Sequence, residues 1–181
     1  TYTWLKSTTS ASTGFTAIVS SNVRNYSPTV ITQNTWFRRV VSSGVCNNDT
    51  SAAINISITS PISANQITSN SQTVCTGSVP SQINATQPTG GDGVSYNYTW
   101  LKSTTSASAG FTSISASNVK NYTPGATTQN TWYKRVVSSG ACSNDTSMAI
   151  KITVTNPITT NAILSGTQSI CSGSSPSQIY A

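Results

Sequence analysis

The chain has 181 residues and a formal net charge of +6, with nine Lys and Arg residues, three Asp, no Glu and no His. The side chains that most acid–base and metal-dependent catalysis requires are therefore scarce, and we expect a protein that is not an enzyme. The basic residues are scattered rather than gathered into a patch, which argues against nucleic-acid binding, and no apolar run is long enough to span a membrane.

The first predicted element, YTWLKSTTSAS at residues 2–12, recurs unchanged at residues 98–108, an offset of 96. The same offset relates TQNTW at 32–36 to its second copy, and residues 1–85 are identical to residues 97–181 at 55 positions without a gap. Similarity at one fixed offset is the signature of a tandem repeat. The sequence therefore predicts a repeat with a 96-residue period.

Unit boundaries are predicted at Pro61 and Pro157, where a proline ends a strand-like run in each copy. Residues 1–61 are then the later part of one unit, 62–157 a complete unit, and 158–181 the beginning of the next. We expect the chain to be a window from a longer array.

Within 62–157, weak strand patterns at Ile67–Val74 and Val79–Ala85 precede a Gly-rich loop at 88–93. A stronger pattern follows, in which Tyr96, Tyr98 and Trp100 share one face of a strand. We expect Trp100 to lie in the core of a central strand.

The later strands are a weak one at Phe111–Ala116, a β-branched and aromatic run at 128–138, and a clear one at Ser147–Thr155. In the last of these, alternation predicts that Met148, Ile150, Ile152 and Val154 face the core. Six or seven strands in one period predict an all-β protein built of tandem immunoglobulin-like (Ig-like) β-sandwich repeats.

Trp132 and Arg135 are the ambiguous residues of the 128–138 run. Lys134 shares the face of Trp132, and Arg135 lies on the opposite face, so one basic side chain must point inward or extend along the surface. Cation–π contacts with neighbouring aromatic rings are one outcome. We expect Trp132 and Arg135 to be candidates for surface contact.

The four cysteines, with no His and no CxxC spacing, predict disulfides and an oxidising, extracellular environment. Spacing alone leaves two pairings open. Cys75 either pairs with Cys142 inside the complete unit, or with Cys46 across the unit boundary, in which case Cys142 pairs with Cys171.

Four segments form an ordered set: QTVCTGSVPSQI (72–83), PTGGDGVSYNYTW (88–100), NYTPG (121–125) and TQNTWYKRVVSSGACS (128–143). This set resembles the Ig-like and PKD-like repeats of very large Bacteroidota cell-surface adhesins, such as the SprB-type gliding adhesins of flavobacteria. The resemblance implies type IX secretion, display at the cell surface and a role in attachment or gliding motility. It also favours the Cys75–Cys142 bridge, with Cys46 and Cys171 paired outside the window.

Asn-Asp-Thr follows the second cysteine of each copy, at 48–50 and 144–146. We interpret it chiefly as a hairpin turn. Calcium binding there would need many carbonyl ligands beside so few carboxylates, and no other cofactor is expected.

These observations predict a structural repeat, a stalk or spacer of a secreted adhesin filament. Its expected partners are neighbouring repeats, surface polysaccharide and identical chains in a fibre. The alternative is a carbohydrate-binding β-sandwich module that contacts surface polysaccharide through aromatic residues and Arg.

Overall fold

A computed structural model describes all 181 residues and contains β-strands but no helix, which confirms the predicted all-β class. Since no helix is present, none could cross a membrane. The strands form a five-stranded sheet in the first unit and a six-stranded sheet in the second. In chain order they are β1 Tyr2–Ser7, β2 Thr16–Ala17, β3 Thr35–Val41, β4 Asp49–Thr50, β5 Ile54–Ile56, β6 Gln72–Cys75, β7 Asn97–Ser103, β8 Thr112–Ser113, β9 Thr131–Ser138, β10 Asp145–Thr146 and β11 Ile150–Thr155.

Strand β9 is the centre of the second sheet and pairs with β7, β10 and β11. Its β-branched and aromatic residues favour extended backbone, and its burial alternates strictly along all eight residues. Thr131, Tyr133, Arg135 and Val137 are buried on the inner face, and the residues between them are half-buried on the outer face.

The inner face is covered by residues 62–89, which we call the covering segment. The isolated bridges Ser63↔Thr89 and Ile67↔Ala85 hold it together, and the bridge Ile83↔Tyr122 joins it to the loop before β9. Ile83 and Ala85 from this segment pack with Trp100, Tyr133, Ile150 and Ile152 in one apolar cluster. The arrangement is consistent with a β-sandwich whose second layer is made of bridges rather than long strands.

Strand β6 pairs with β11 in the only parallel ladder of the structure. The register places Gln72 beside Ile152 and Cys75 beside Thr155. This end of the unit, formed by Cys75, Thr127 and Thr155, is called the distal end, because the chain leaves the unit there.

The last strand differs from its prediction at its start. Met148 is 88% exposed, and Val154 is only half-buried. Ser147 explains the position of Met148, because its hydroxyl accepts a hydrogen bond from the Arg135 N–H at 2.9 Å and its own N–H donates to the Arg135 carbonyl. The regular ladder therefore resumes only at Ile150, and Met148 turns outward.

The first unit repeats the pairing of the second, with Tyr2↔Val41 where the second has Tyr98↔Val137. The 181 residues contain no covering segment for this unit. Its inner-face residue Trp4 is accordingly half-buried, whereas Trp100 is fully buried.

Residues 158–181 contain no strand, yet they form hydrogen bonds that also occur 96 residues earlier. Ser177 N–H donates to Gln168 Oε1 at 2.7 Å, as Ser81 N–H donates to Gln72 Oε1 at 2.8 Å. Local side-chain hydrogen bonds therefore shape this segment as they shape its counterpart.

Candidate functional site: the buried arginine, the outer face and the ends of the unit

Arg135 is fully buried, so its predicted role in surface contact is wrong. The alternation of β9 turns it inward, opposite Trp132 and Lys134. Its guanidinium donates through Nε to Asn65 Oδ1 at 2.9 Å, through Nη1 to the Lys120 carbonyl at 2.9 Å and through Nη2 to the Thr86 carbonyl at 2.8 Å. These hydrogen bonds satisfy a charge that would otherwise be too costly to bury.

Asn65 completes this network from the covering segment. Its Nδ2 donates to the Arg135 carbonyl at 3.1 Å and to the Asp145 carbonyl at 2.9 Å. Burial lowers the pKa of Arg135, while the neighbouring Tyr98 and Asp145 act in the opposite direction. The Arg135 charge also lies 5.2 Å from the centroid of the Tyr98 ring. The network thus joins the sheet to the segment that covers it.

The outer face carries two pairs of an aromatic ring and a lysine. Trp132 is half-buried there, with Lys151 Nζ 5.2 Å from its ring centroid, and Lys134 Nζ lies 4.5 Å from the centroid of Phe111. The second pair has a counterpart in the first unit, Arg38 over Phe15 at 4.4 Å. Trp132 is therefore half-buried on the outer face with a cation over its ring, and its role in surface contact stays a prediction.

The two units meet at residues 59–62, which we call the junction. The Gly91 N–H donates to the Ser60 carbonyl at 2.8 Å, and the covering segment begins directly afterwards. Gly90 has a φ of +79°, and a Cβ on it would lie 2.0 Å from the Pro61 carbonyl oxygen. Only glycine accommodates both this backbone conformation and this close approach.

Asp92 fixes the loop beside the junction. Its carboxylate accepts hydrogen bonds from the N–H groups of Ser95 and Val94 at 3.0 and 2.9 Å and from the Ser139 hydroxyl at 2.7 Å. These donors hold the pKa of Asp92 well below its usual range. The end of the unit formed by Gly90–Asp92 and Ser139–Cys142 is called the proximal end, because the chain enters there.

All four cysteines are free thiols, and the predicted Cys75–Cys142 bridge is not formed. Cys75 lies at the distal end beside Thr155, whereas Cys142 follows β9 at the proximal end, where its N–H donates to the Ser139 carbonyl. The eight residues of β9 separate the two ends by about 26 Å, and disulfides need Cα atoms within about 7 Å. The prediction of a Cys75–Cys142 bridge inside one unit is therefore wrong.

The Asn-Asp-Thr segment of the second unit is not a simple turn. Asp145 and Thr146 form β10, which pairs with Val137 and Val136 of β9. No group of three or more His, Cys, Asp or Glu side chains is arranged to hold a metal ion.

A family model described as a domain of unknown function (DUF8696) matches the chain twice, at residues 1–60 and 64–156. The chain belongs to this family. Residues 61–63 separate the two DUF8696 matches, and this gap begins at Pro61, the residue that Gly90 approaches closely. No curated protein and no solved structure matches the chain.

Two parts of the site were not predicted from the sequence, namely the Arg135–Asn65 network and the fit of Gly90 against Pro61. The network joins residues 70 positions apart, so no local pattern contains it. The consecutive glycines at 90 and 91 were a usable signal, because adjacent glycines often mark a close approach of two backbones.

Proposed function

We propose that the chain is a section of the stalk of a long, secreted cell-surface adhesin, in which consecutive Ig-like units act as non-catalytic spacers. The observation that carries the proposal is the position of the junction. The chain leaves one sheet after β5 and meets the proximal end of the next unit, while the second unit releases the chain at its opposite, distal end. Units joined in this way follow one another along one axis.

The junction also supports a stalk of limited flexibility. It has no long linker, since Ile58 still donates to Asn34 Oδ1 of the first unit at 2.8 Å and Ser63 already donates to Thr89 of the second at 2.9 Å. A short connection that is hydrogen-bonded on both sides restricts hinge motion, in contrast to Gly/Ser linkers.

The composition fits an extracellular spacer. Charged residues make up 7% of the chain, and Ser and Thr dominate its polar residues, so a long array would carry little charge for non-specific attraction. The resemblance to Bacteroidota adhesin repeats supplies the rest of the proposal: type IX export, display at the cell surface, and attachment or gliding.

The test varies the number of units in the full-length protein expressed by its own cells. A shortened array should reduce the distance at which cells attach, or their gliding, while the terminal binding region still binds its target in isolation. Unchanged attachment and gliding across arrays of different length would refute the spacer function.

A carbohydrate-binding module is the second candidate, because Trp132 and Phe111 lie on the outer face. The lysines over both rings argue against it, since sugar-binding aromatic rings need an open face. A glycan array probed with the chain distinguishes the two functions. Saturable, salt-resistant binding that Trp132→Ala abolishes would favour the module over the spacer.

A further inference from the structure

Cys142 contacts the preceding unit rather than its own core. Its Sγ lies 3.0 Å from Thr59 Oγ1, and the thiol donates to the Ser60 carbonyl oxygen at 3.3 Å. The sulfur therefore lies directly against the last residues of the first unit. An open groove of about 430 Å³, lined by Thr59, Pro61 and Cys142 among others, adjoins it.

Thr59 has a counterpart in the second unit, Thr155, at the 96-residue offset. Thr155 is the register partner of Cys75 across the parallel ladder of β6 and β11. Register partners on adjacent strands lie about 5 Å apart and project from the same face of the sheet. In the second unit, therefore, the Cys75 side chain is the neighbour of the Thr155 side chain.

The first unit has the same backbone arrangement at this point. Ile58 N–H donates to Asn34 Oδ1 at 2.8 Å, and its counterpart Val154 N–H donates to Asn130 Oδ1 at 2.9 Å. In the proposed tandem stalk, a strand equivalent to β6 from the residues that precede Thr1 would thus run beside residues 56–59. Its cysteine would neighbour the Thr59 side chain, which Cys142 Sγ already contacts.

We propose that consecutive units are joined by a disulfide between the cysteine equivalent to Cys75 in one unit and the cysteine equivalent to Cys142 in the next. The inference rests on the proposed tandem stalk, because the partner belongs to a neighbouring unit. Each of the four free cysteines then has its partner in a part of an adjacent unit that these 181 residues do not include. This pairing differs from both pairings that the spacing suggested.

The bond forms by thiol–disulfide exchange with a donor disulfide of an oxidising compartment. The thiolate of one cysteine attacks the donor and forms a mixed disulfide, and the second thiolate then displaces the donor thiol. The two cysteines lose two protons and two electrons, and the donor disulfide is reduced to two thiols. Cys75 is exposed and Cys142 half-buried beside an open groove, so a donor can reach both.

The bond would add a second covalent link at each junction, beside the peptide chain. Pulling on the array would otherwise load only the short peptide connection and its few hydrogen bonds to the second unit. A disulfide beside the junction fixes the first unit to the second at another point and limits their rotation.

The test uses the full chain extended at its N-terminus by a copy of residues 62–96, which completes the first unit in register. After oxidation with glutathione disulfide, trypsin releases Cys142 in the peptide Val136–Lys151 and the added cysteine in a peptide that ends at Lys6. We expect these two peptides to be linked, and the link to disappear on reduction. Cys142 recovered as a free thiol, or linked to Cys46 or to Cys75 of its own unit, would overturn the proposal.

Two single variants provide the control. Cys142→Ser should abolish the link, whereas Cys46→Ser, which removes the equivalent cysteine at the outer end of the chain, should leave it intact. Equal loss in both variants would contradict the assignment.

A second measurement does not depend on folding of the added copy. A peptide of residues 68–80, with Cys75 activated as a thiopyridyl disulfide, is offered to the 181-residue chain. It should couple to Cys142 at least tenfold faster than to Cys46 or Cys171, and equal rates would refute the proposal. Neither experiment measures adhesion, so the disulfide and the spacer function can fail independently.

Discussion

Arg135 brings a positive charge into the interior of the second unit, and three hydrogen-bond acceptors of distant origin make this possible. Its counterpart Arg39 has the same place in β3, yet it is half-buried and its guanidinium donates only to the Arg24 carbonyl, at 3.0 Å. Within these 181 residues, no segment covers the inner face around Arg39, whereas Asn65 and Thr86 of the covering segment supply acceptors to Arg135. The arginine therefore holds a buried hydrogen-bond network together in the second unit, whereas its counterpart in the first unit makes a single side-chain hydrogen bond.

Replacing Arg135 by Met should destabilise the second unit, because the Asn65 side chain and two backbone carbonyls would lose their donor inside the protein. We expect a loss of about 2–4 kcal/mol in the free energy of unfolding. Arg39→Met, the matched control, should cost less than about 1 kcal/mol. Urea unfolding monitored by tryptophan fluorescence measures both variants. Equal losses would show that the hydrogen bonds of Arg135 contribute nothing beyond its packing.

The buried Tyr133 should make the second unit less stable as the pH becomes alkaline. Burial, assisted by neighbouring Tyr122, raises the pKa of Tyr133 to about 12 from an ordinary value of 10.0. Since the folded state holds the Tyr133 proton more tightly than the unfolded state does, the protonated side chain stabilises the fold fully below about pH 10. This stabilisation is lost as the pH rises toward 12. The loss amounts to about 2–3 kcal/mol.

The first unit supplies the variant that tests this dependence, because Phe37 occupies the position of Tyr133. Tyr133→Phe should flatten the decline in unfolding free energy between pH 9 and about pH 11.5. Tyr180→Phe, a change at an exposed tyrosine, should leave the decline as it is in the unchanged chain. The measurement is urea unfolding at a series of pH values. An equally steep decline in Tyr133→Phe would contradict the assignment.

At the scale of elements, the strands that could be predicted are those whose local pattern is sufficient. The strand with Tyr98 and Trp100 alternates clearly, and the run that forms β9 is rich in β-branched and aromatic residues, so both were predicted within a few residues. Apart from β6, the covering segment forms only isolated bridges, and the two strands predicted in it, Ile67–Val74 and Val79–Ala85, had only weak patterns in the sequence. Met148 fits the apolar alternation, but the hydrogen bonds of Ser147 to Arg135 displace it outward.

The inward direction of Arg135 could not be derived from its neighbours either. Trp132 and Lys134 on one face, and Tyr133 and Arg135 on the other, place one aromatic and one basic residue on each side of the strand. The choice depends on Asn65 and Thr86, which lie in another part of the chain. Residue pattern therefore predicted the strand, and contacts between distant residues decided which face is buried.

The loop at the proximal end should respond sharply to one methyl group. Gly90→Ala would place a Cβ against the Pro61 carbonyl at a positive φ, so the loop must move away from the junction. We expect faster proteolytic cleavage between residues 57 and 63. Gly125→Ala is the control, because that position has an ordinary φ and open space around it. Unchanged cleavage in Gly90→Ala would show that the loop does not secure the junction.

At the scale of the whole molecule, the opposite placement of the proximal and distal ends determines how size increases with the number of units. Each added unit should lengthen an array by about 30–40 Å, the length of one strand layer with its loops. Small-angle scattering of arrays with two, three and four units, with all thiols reduced, measures the maximum dimension. A compact assembly would instead grow in cross-section and much less in length.

A junction that limits hinge motion makes a further prediction for these arrays. Inserting a short Gly-Ser segment between Ser60 and Pro61 should separate the Ser60 carbonyl from the Gly91 N–H that donates to it. The distribution of interatomic distances should then broaden, and the mean extension of the array should shorten. The same insertion next to Val45, a fully exposed residue at the outer end of the first unit, should leave the distribution unchanged. If both insertions leave it unchanged, the units were already free to hinge, and the contacts of Ser60 and Gly90 do not stiffen the stalk.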